Sequence, residues 1–164
     1  MIRLRAMEPR DAEAQHRWLN DPAGPARYPM SLAAVAGRLH DAGATSFANP
    51  RFTLEREADG ACVGWAALRD VTPESRHAEL DLVIGSPGSF AKLGTAAARA
   101  VCAFAFDAIG LHRVAVWVPV EQADVVAAYE AAGFVREGVA KDRLYRGGRW
   151  HDMVLLGRLA TDPE

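Results

Sequence analysis

One side chain with the type and setting for general acid–base catalysis is Glu79. It begins the apolar run ELDLVI, and strand alternation places its carboxylate on the face opposite Leu80 and Leu82. A carboxylate that is half-buried in a sheet can take a proton from an acceptor, directly or through water. The bland alternative is a solvated position on the open face of a strand.

A second candidate is Tyr129, in the segment ADVVAAYEAAGF. This segment predicts a short helix in which the neighbours of the tyrosine are mostly alanine, so its ring has room to point into a cleft. A phenol with a pKa of about 10 is suited to protonating a strongly basic or thiolate leaving group. Spacing alone equally allows a core tyrosine that packs beside Phe134.

The stretch Glu79–Phe106 predicts a site for phosphate or another anion. It reads as a strand, a Gly/Ser/Pro turn at Gly85–Ser89 and a long alanine-rich helix. Free backbone N–H groups and the positive end of the helix dipole meet at the first turn of such a helix. Lys92 could add a point charge, or be an ordinary solvated lysine. Neither GxGxxG nor the P-loop spacing is present.

Other kinds of site lack support. His151 and Asp152 are adjacent, but no Ser or Cys occupies a nucleophile elbow, so hydrolase chemistry is not indicated. Metal-ligand spacings are missing, and we expect no metal. The formal net charge of −2 provides no bulk basic field, so we expect no nucleic-acid partner.

The elements that must position these residues predict a single domain over residues 1–164. Half of the residues are apolar and 24% are charged, as in an ordinary globular domain. Strands at Phe52–Arg56, Ala61–Arg69 and Arg76–Ile84 predict an antiparallel meander. The strand–helix–strand–helix–strand order that follows predicts a mixed α/β sheet with parallel pairing at its middle.

The boundaries of several other elements can also be predicted. Ser31 is a credible N-cap for the second helix, and the long helix runs from about Lys92 to Ala108. The last two strands are predicted at Phe134–Glu137 and Asp152–Arg158. Between them, Lys141–Trp150 is interpreted as a charged, glycine-containing loop.

Four segments together resemble the GCN5-related N-acetyltransferases (GNAT), and among them the RimJ/RimL-type subgroup that acetylates ribosomal-protein N-termini and related amines. The segments are AELDLVIGSPG, GTAAARAVCAFAFDAIGLHRV, AAYEAAGFVREG and DRLYRGGRWHDMVLLG. The resemblance covers nearly the whole chain. It implies the GNAT fold, with a central mixed sheet of about six to seven strands, a splayed parallel pair and four helices on both faces.

The resemblance also implies an activity and roles for particular residues. The family transfers an acetyl or other acyl group from acetyl-CoA, as co-substrate, to a primary amine of a peptide or small molecule. Tyr129 matches the acid for the departing CoA thiolate, and Glu79 matches the base for the acceptor ammonium. In the family the Glu79 strand carries a bulge, and its backbone holds pantetheine. The implied cofactor-binding residues are Leu82, Val83, Ile84, Phe90, Ala91, Lys92, Leu93, Gly94, Thr95 and Gln122.

The pyrophosphate loop departs from the family pattern. Residues 90–95, FAKLGT, lack the central glycine and are one residue short. One register places the deletion ahead of Gly94, and a second uses Gly94 and Ala96 as the small residues and requires the helix to start later. A side chain in place of glycine could obstruct the approach of backbone to phosphate. Gln122 replaces an asparagine common in the family.

Three functions stay open on this reading. An acetyl-CoA-dependent N-acetyltransferase is favoured over an acyltransferase that takes its acyl group from an acyl carrier protein, and over a non-catalytic module with the same fold. The chain has no signal-peptide pattern and no apolar run of about 20 residues, so we expect a cytoplasmic protein without a membrane partner. We expect it to be a monomer or a homodimer. The expected acceptor-binding residues are Arg27, Tyr28, Trp65, Arg143 and Tyr145.

Overall fold

Seven strands form one sheet in the order β1-β2-β3-β4-β5-β7-β6. The computed structural model describes residues 1–21, 31–42, 49–85 and 89–163, with side chains described outside 38–42. The strands are β1 (Ile2–Ala6), β2 (Arg51–Arg56), β3 (Ala61–Thr72), β4 (His77–Ile84), β5 (Arg113–Pro119), β6 (Val135–Arg146) and β7 (Arg149–Leu159). The α-helices in the described ranges are α1 (Ala12–Asn20), α2 (Leu32–Ala42), α3 (Phe90–Ala103) and α4 (Ala123–Ala131). No helix there is long and apolar enough to cross a membrane.

The pairing of the strands confirms the predicted mixed sheet. The β4–β5 pair is parallel, whereas the other neighbouring pairs are antiparallel. A parallel pair needs a crossover connection, and α3 supplies it between β4 and β5. The long helix that follows the Glu79 strand therefore brings two strands side by side at the middle of the sheet.

One face of the sheet holds the main core. Leu54, Leu68 and Leu156 are fully buried there, on strands from both halves of the sheet. The buried alanines of α3, such as Ala97, pack in the same cluster with Val101. Small side chains let a helix lie close to a sheet, which explains the alanine-rich sequence of α3.

The opposite face is covered unevenly. Asp11, just before α1, accepts a hydrogen bond of 2.7 Å from the hydroxyl of Thr53 on β2, so this end of the sheet is closed by α1. The Trp18 ring of α1 lies against Gly85, where an added Cβ would come within 1.9 Å of it. Farther along the same face, Glu79 and Asp81 of β4 and Trp117 of β5 are partly exposed.

Two boundary predictions were wrong. Lys141–Trp150 is not a loop, because β6 and β7 continue through it and meet in a tight turn at Gly147 and Gly148. Its charged residues hid the strand pattern because most of β6 faces solvent. The long helix begins at Phe90 and ends in a π-helical turn at Phe104–Ala108. Ser31 acts as predicted, since its hydroxyl accepts a hydrogen bond from the N–H of Ala34.

Candidate active site

The parallel strands β4 and β5 separate partway along their length. Their pairing runs from His77–Arg113 to Glu79–Ala115 and ends there. Beyond this point β4 stays paired with β3 as far as Ile84, and β5 stays paired with β7 as far as Pro119. The sheet therefore contains a V-shaped opening with Glu79 at its vertex.

Backbone groups of β4 line this opening. The N–H of Gly85 donates to the carbonyl of Val63, so odd-numbered residues of β4 direct their N–H and C=O groups toward β3. The even-numbered residues Leu82 and Ile84 therefore direct theirs toward β5, beyond the last paired position. Among the three residues predicted to hold pantetheine, Val83 is the exception, because its backbone groups belong to the β3 ladder.

The expected bulge in this strand is absent. The register between β4 and β3 is continuous from Glu79 to Ile84, and the irregularity of that pair lies instead between Arg69 and Thr72. Asp70, within this irregular segment, has a positive φ of 52°. The opening therefore comes from the divergence of β4 and β5 rather than from an extra residue in β4.

Tyr129 on α4 belongs to the main core and is only 2% exposed. Its ring packs against those of Phe90 and Phe134, at centroid distances of 5.6 and 5.3 Å. Burial raises the pKa of the phenol far above its ordinary value, and the charge of Asp81 adds to the rise. The tyrosine is thus both a core residue and a phenol that stays protonated. The space predicted to be open beside the Tyr129 ring is occupied by the rings of Phe90 and Phe134.

Glu79 belongs to a polar network on the half-exposed face. Its carboxylate accepts a hydrogen bond of 3.3 Å from the indole N–H of Trp117 and lies 3.5 Å from the guanidinium of Arg69. Arg69 also forms an ion pair with Asp81. The Glu79 side chain keeps 26% of its surface exposed, so a second molecule can still reach it.

Arg143 joins the same network. Its guanidinium carbon lies 3.9 Å from the centroid of the Trp117 ring, a cation–π contact. Trp117 and Arg69 were missed by sequence reasoning, although Arg143 and Glu79 were predicted. Arg69 and Trp117 come close to Glu79 through the registers of β4 with β3 and with β5, and these registers join strands that are distant in the chain.

The first turn of α3 holds only part of the predicted pyrophosphate site. Phe90, Ala91 and Lys92 lie in that turn, after Ser89, whose carbonyl accepts hydrogen bonds from Lys92 and Leu93. The register that required a later start of the helix is wrong, because α3 begins four residues before Gly94.

Gly94 and Thr95 face inward rather than toward an anion. A Cβ at Gly94 would lie 2.5 Å from the ring of Phe90, so glycine here allows an aromatic side chain to pack on the helix. The hydroxyl of Thr95 donates to the carbonyl of Ala128 at 3.0 Å and joins α3 to α4. Both backbone N–H groups lie inside the helical ladder, beyond the free N–H groups of the first turn, and the contact of these two residues with pyrophosphate stays a prediction.

The remaining predicted residues are more dispersed. Gln122 precedes the first residue of α4, and its carbonyl accepts hydrogen bonds from Val125 and Val126. Trp65 shares the face of Glu79, and its buried indole N–H has no hydrogen-bond partner among the described residues. Tyr145 is exposed on the hairpin, where it packs against Trp150. Arg27 and Tyr28 lie outside the described residues.

Comparisons with known proteins agree with this architecture. The family model for the acetyltransferase (GNAT) domain matches residues 2–135, which confirms the resemblance seen in the sequence. The chain is 33% identical over 106 residues to the Bacillus subtilis protein YdaF, whose name carries a provisional assignment as a ribosomal N-acetyltransferase. That match spans 65% of this chain and 58% of the length of YdaF.

Two further similarities extend over nearly the whole chain. Spermidine N(1)-acetyltransferase of Escherichia coli K12 is 24% identical over 159 residues, which is 94% of this chain and 84% of the relative. A solved chimera of the Vibrio cholerae spermidine N-acetyltransferase SpeG and hSSAT has a TM-score of 0.86 at 23% identity. It covers 96% of this chain and 95% of its own, so the two share a fold.

Proposed function

Because the chain belongs to the acetyltransferase (GNAT) domain family, we propose that it transfers an acetyl group from acetyl-CoA to a primary amine at the opening between β4 and β5. The observation that carries the proposal is the end of parallel pairing at Glu79 and Ala115. It leaves the N–H and C=O groups of Leu82 and Ile84 facing a gap in the sheet. An extended ligand with amide groups of its own can satisfy them, as an added strand would.

Pantetheine is such a ligand, since its chain contains two amides and ends in the thiol that carries the acetyl group. GNAT acetyltransferases use acetyl-CoA as the donor. In this proposal Leu82 and Ile84 bind the pantetheine amides. The first turn of α3 receives the pyrophosphate through the N–H groups of Phe90 and Ala91 and the side-chain charge of Lys92. The absence of the central glycine restricts how closely phosphate approaches this turn.

The proposed reaction is a direct transfer in a ternary complex. Glu79 removes a proton from the acceptor ammonium, and the amine nitrogen forms a bond to the acetyl carbon. The carbon–sulfur bond then breaks, the CoA thiolate leaves, and the second proton of the nitrogen is lost to solvent. The raised pKa of Tyr129 keeps its hydroxyl protonated, so the phenol can donate a hydrogen bond to the departing sulfur, which then takes its proton from solvent.

The acceptor approaches from the face opposite α3 and α4. Glu79, Arg69 and Trp117 lie on that face, while Tyr129 belongs to the core on the other side. The two reactants therefore meet at the vertex from opposite sides of the sheet. The names of the relatives suggest polyamines or peptide N-termini as acceptor classes.

Thiol release from acetyl-CoA, followed over a panel of amines, tests this function. We expect turnover with at least one amine, with the acetylated product identified by mass spectrometry. The site is tested separately by amide hydrogen exchange with and without CoA. The amides of Leu82 and Ile84 should become protected on binding, whereas that of Val83, already in the β3 ladder, should be protected in both states. CoA binding without added protection at Leu82 and Ile84 would contradict the proposed site.

A further inference from the structure

Arg143 carries a positive charge that no carboxylate of the described residues neutralises. Two other arginines near the proposed reaction centre are paired. Arg69 bonds Asp81 and Glu79, and Arg113 bonds Glu137. Arg143 instead lies over the ring of Trp117, and no ion pair within the described ranges includes it. Its charge is available to a ligand.

The backbone aims this side chain at the site. The register of β6 with β7 shifts between Ala140 and Leu144, so Arg143 belongs to a bulge. Asp142, inside the bulge, has a positive φ of 49°, and its N–H donates to the carboxylate of Asp152 at 2.9 Å. A bulge redirects the side chains that it contains. Here it lets Arg143 reach Trp117 on β5, across the intervening strand β7.

Trp117 connects this guanidinium to the proposed base. Arg143 lies on the face of the indole ring at 3.9 Å, and the ring N–H donates to Glu79 at 3.3 Å. A guanidinium that stacks on an aromatic face keeps its in-plane N–H groups free, and these bind a carboxylate with two parallel hydrogen bonds. The Trp117 indole thus contacts both Glu79, which can accept a proton, and Arg143, which can bind an anion.

The carboxylates beside Glu79 do not suit a polycation. Asp81 is engaged by Arg69, which is also within 3.5 Å of Glu79. A polyamine needs a second, unpaired carboxylate for its second ammonium. Within the described network the unpaired charge is positive instead, at Arg143.

On the basis of the proposed function, we infer that the acceptor carries a carboxylate close to its reacting amine, and that Arg143 binds this carboxylate while Glu79 receives the proton of the ammonium. A free amino acid has this chemistry, and so does a peptide N-terminus with an acidic side chain. Arg143 is then a specificity-determining residue of the acceptor site.

The experiment compares amines that differ only in the carboxylate. Tyrosine is paired with tyramine, lysine with cadaverine, and the C-terminally amidated peptide Ala-Asp-Ala with amidated Ala-Asn-Ala, with spermidine as the polycation. For wild-type protein, thiol release should give a kcat/KM about 10- to 100-fold higher for the acidic member of at least one pair, through KM. The pair that responds distinguishes the amino acid from the peptide.

Two variants assign that preference to Arg143. Arg143→Gln should remove it by raising KM for the acidic member to that of its neutral counterpart, and Arg143→Lys should retain part of it. Arg136→Gln, on the same strand but paired with Glu130, is the matched control and should keep the preference. Equal or greater kcat/KM for neutral amines or spermidine in wild type, or an undiminished preference in Arg143→Gln, would overturn the inference and leave the proposed function standing. Absence of thiol release with every amine would overturn the function itself.

Discussion

Two arginine–carboxylate networks occupy the same face of the sheet, one at its β1 edge and one at its middle. In the first, Arg5 on β1 bonds Asp11 at 2.8 Å and Glu55 on β2 at 3.0 Å. Thr53 and the N–H of Glu8 also donate to Asp11, which is 3% exposed. Each carboxylate here has several donors, and α1 covers the network.

The second network uses the same residue types with a different outcome. Arg69 is 48% exposed and is shared between Glu79 and Asp81. Glu79 has one further donor, the indole of Trp117, and Arg143 has no carboxylate among the described residues. This network is uncovered and incompletely paired.

The difference distinguishes a network that stabilises the fold from one that can bind a ligand. A buried, fully bonded network cannot exchange partners without a large cost, so it fixes α1 on the sheet. A half-exposed network with spare donors and acceptors can accept a second molecule. The same chemistry therefore stabilises the fold at β1–β2 and is available for a reaction at β4–β5.

The largest effect on stability is expected from Asp11→Ala. It leaves Arg5, Thr53 and the N–H of Glu8 without their shared acceptor, and breaking such a pair costs about 3–5 kcal/mol. Urea unfolding should show this loss, while kcat per folded molecule stays within about 2-fold of wild type. An unfolding free energy within about 1 kcal/mol of wild type would show that the covered network is not a scaffold.

The same network predicts the response to acid. Burial alone would raise the pKa of Asp11, but hydrogen bonds from Arg5, the Glu8 N–H and Thr53 outweigh burial and hold it below its ordinary value. A carboxyl with a depressed pKa stabilises the fold above its unfolded pKa of about 3.9 and loses that contribution as pH falls through the folded value. Wild-type stability should therefore fall below about pH 4 more steeply than that of Asp11→Ala.

Tyr129→Phe should mainly affect the reaction. The ring is held by Phe90 and Phe134, which would pack against phenylalanine equally well after the change. We expect kcat to fall about 10- to 100-fold because the departing thiolate loses a donor, with an unfolding free energy within about 1 kcal/mol. Tyr145→Phe, on the exposed hairpin, is the control. An unchanged kcat in Tyr129→Phe would remove the tyrosine from the mechanism.

Trp117→Phe tests the connection between Arg143 and Glu79 in the second, half-exposed network. Phenylalanine keeps a ring under Arg143 but removes the N–H that donates to Glu79. Because one hydrogen bond is lost, we expect kcat/KM to fall about 5- to 10-fold, with most of the acceptor preference retained. A loss of preference as large as in Arg143→Gln would mean that the indole N–H, rather than its ring, orients the arginine.

The smallest effect on stability is expected from Asp81→Asn. The Asp81 side chain, which forms an ion pair with Arg69, is 37% exposed, and exposed ion pairs contribute about 0–1 kcal/mol to stability. Urea unfolding should therefore show a loss of less than about 1 kcal/mol, in contrast to Asp11→Ala. A loss comparable to that of Asp11→Ala would erase the distinction between the two networks.

The sequence predicted the features that are local to one strand or helix. The Glu79 strand and the alanine-rich helix have period-2 and helical patterns that survive in the structure, while residues 86–88 of the turn between them lie outside the described residues. The continuation of β6 and β7 through Lys141–Trp150 was missed because most residues of β6 face solvent and their charges masked the alternation. Gly94 was assigned to phosphate, although its neighbour in space is Phe90, four residues earlier on the same helix.

The second, half-exposed network could also be predicted only in part, but for a different reason. Glu79 and Arg143 were found from residue type, but Trp117 and Arg69 are connected to Glu79 through strand registers. Register across β4 and β5 depends on the long crossover through α3, which no local pattern reports. The covered network, with Arg5 and Asp11, likewise joins residues from separate elements.

The most direct test of the proposed reaction site is the kcat/KM of Glu79→Gln for acetyl transfer to the best amine. Glutamine keeps the size of the side chain and can still accept from Trp117, but it cannot remove the ammonium proton. We predict a fall of about 100- to 10,000-fold, with CoA affinity unchanged and an unfolding free energy within about 1 kcal/mol of wild type. A variant that acetylates the amine at the wild-type rate would contradict the assignment of catalysis to the vertex of β4 and β5.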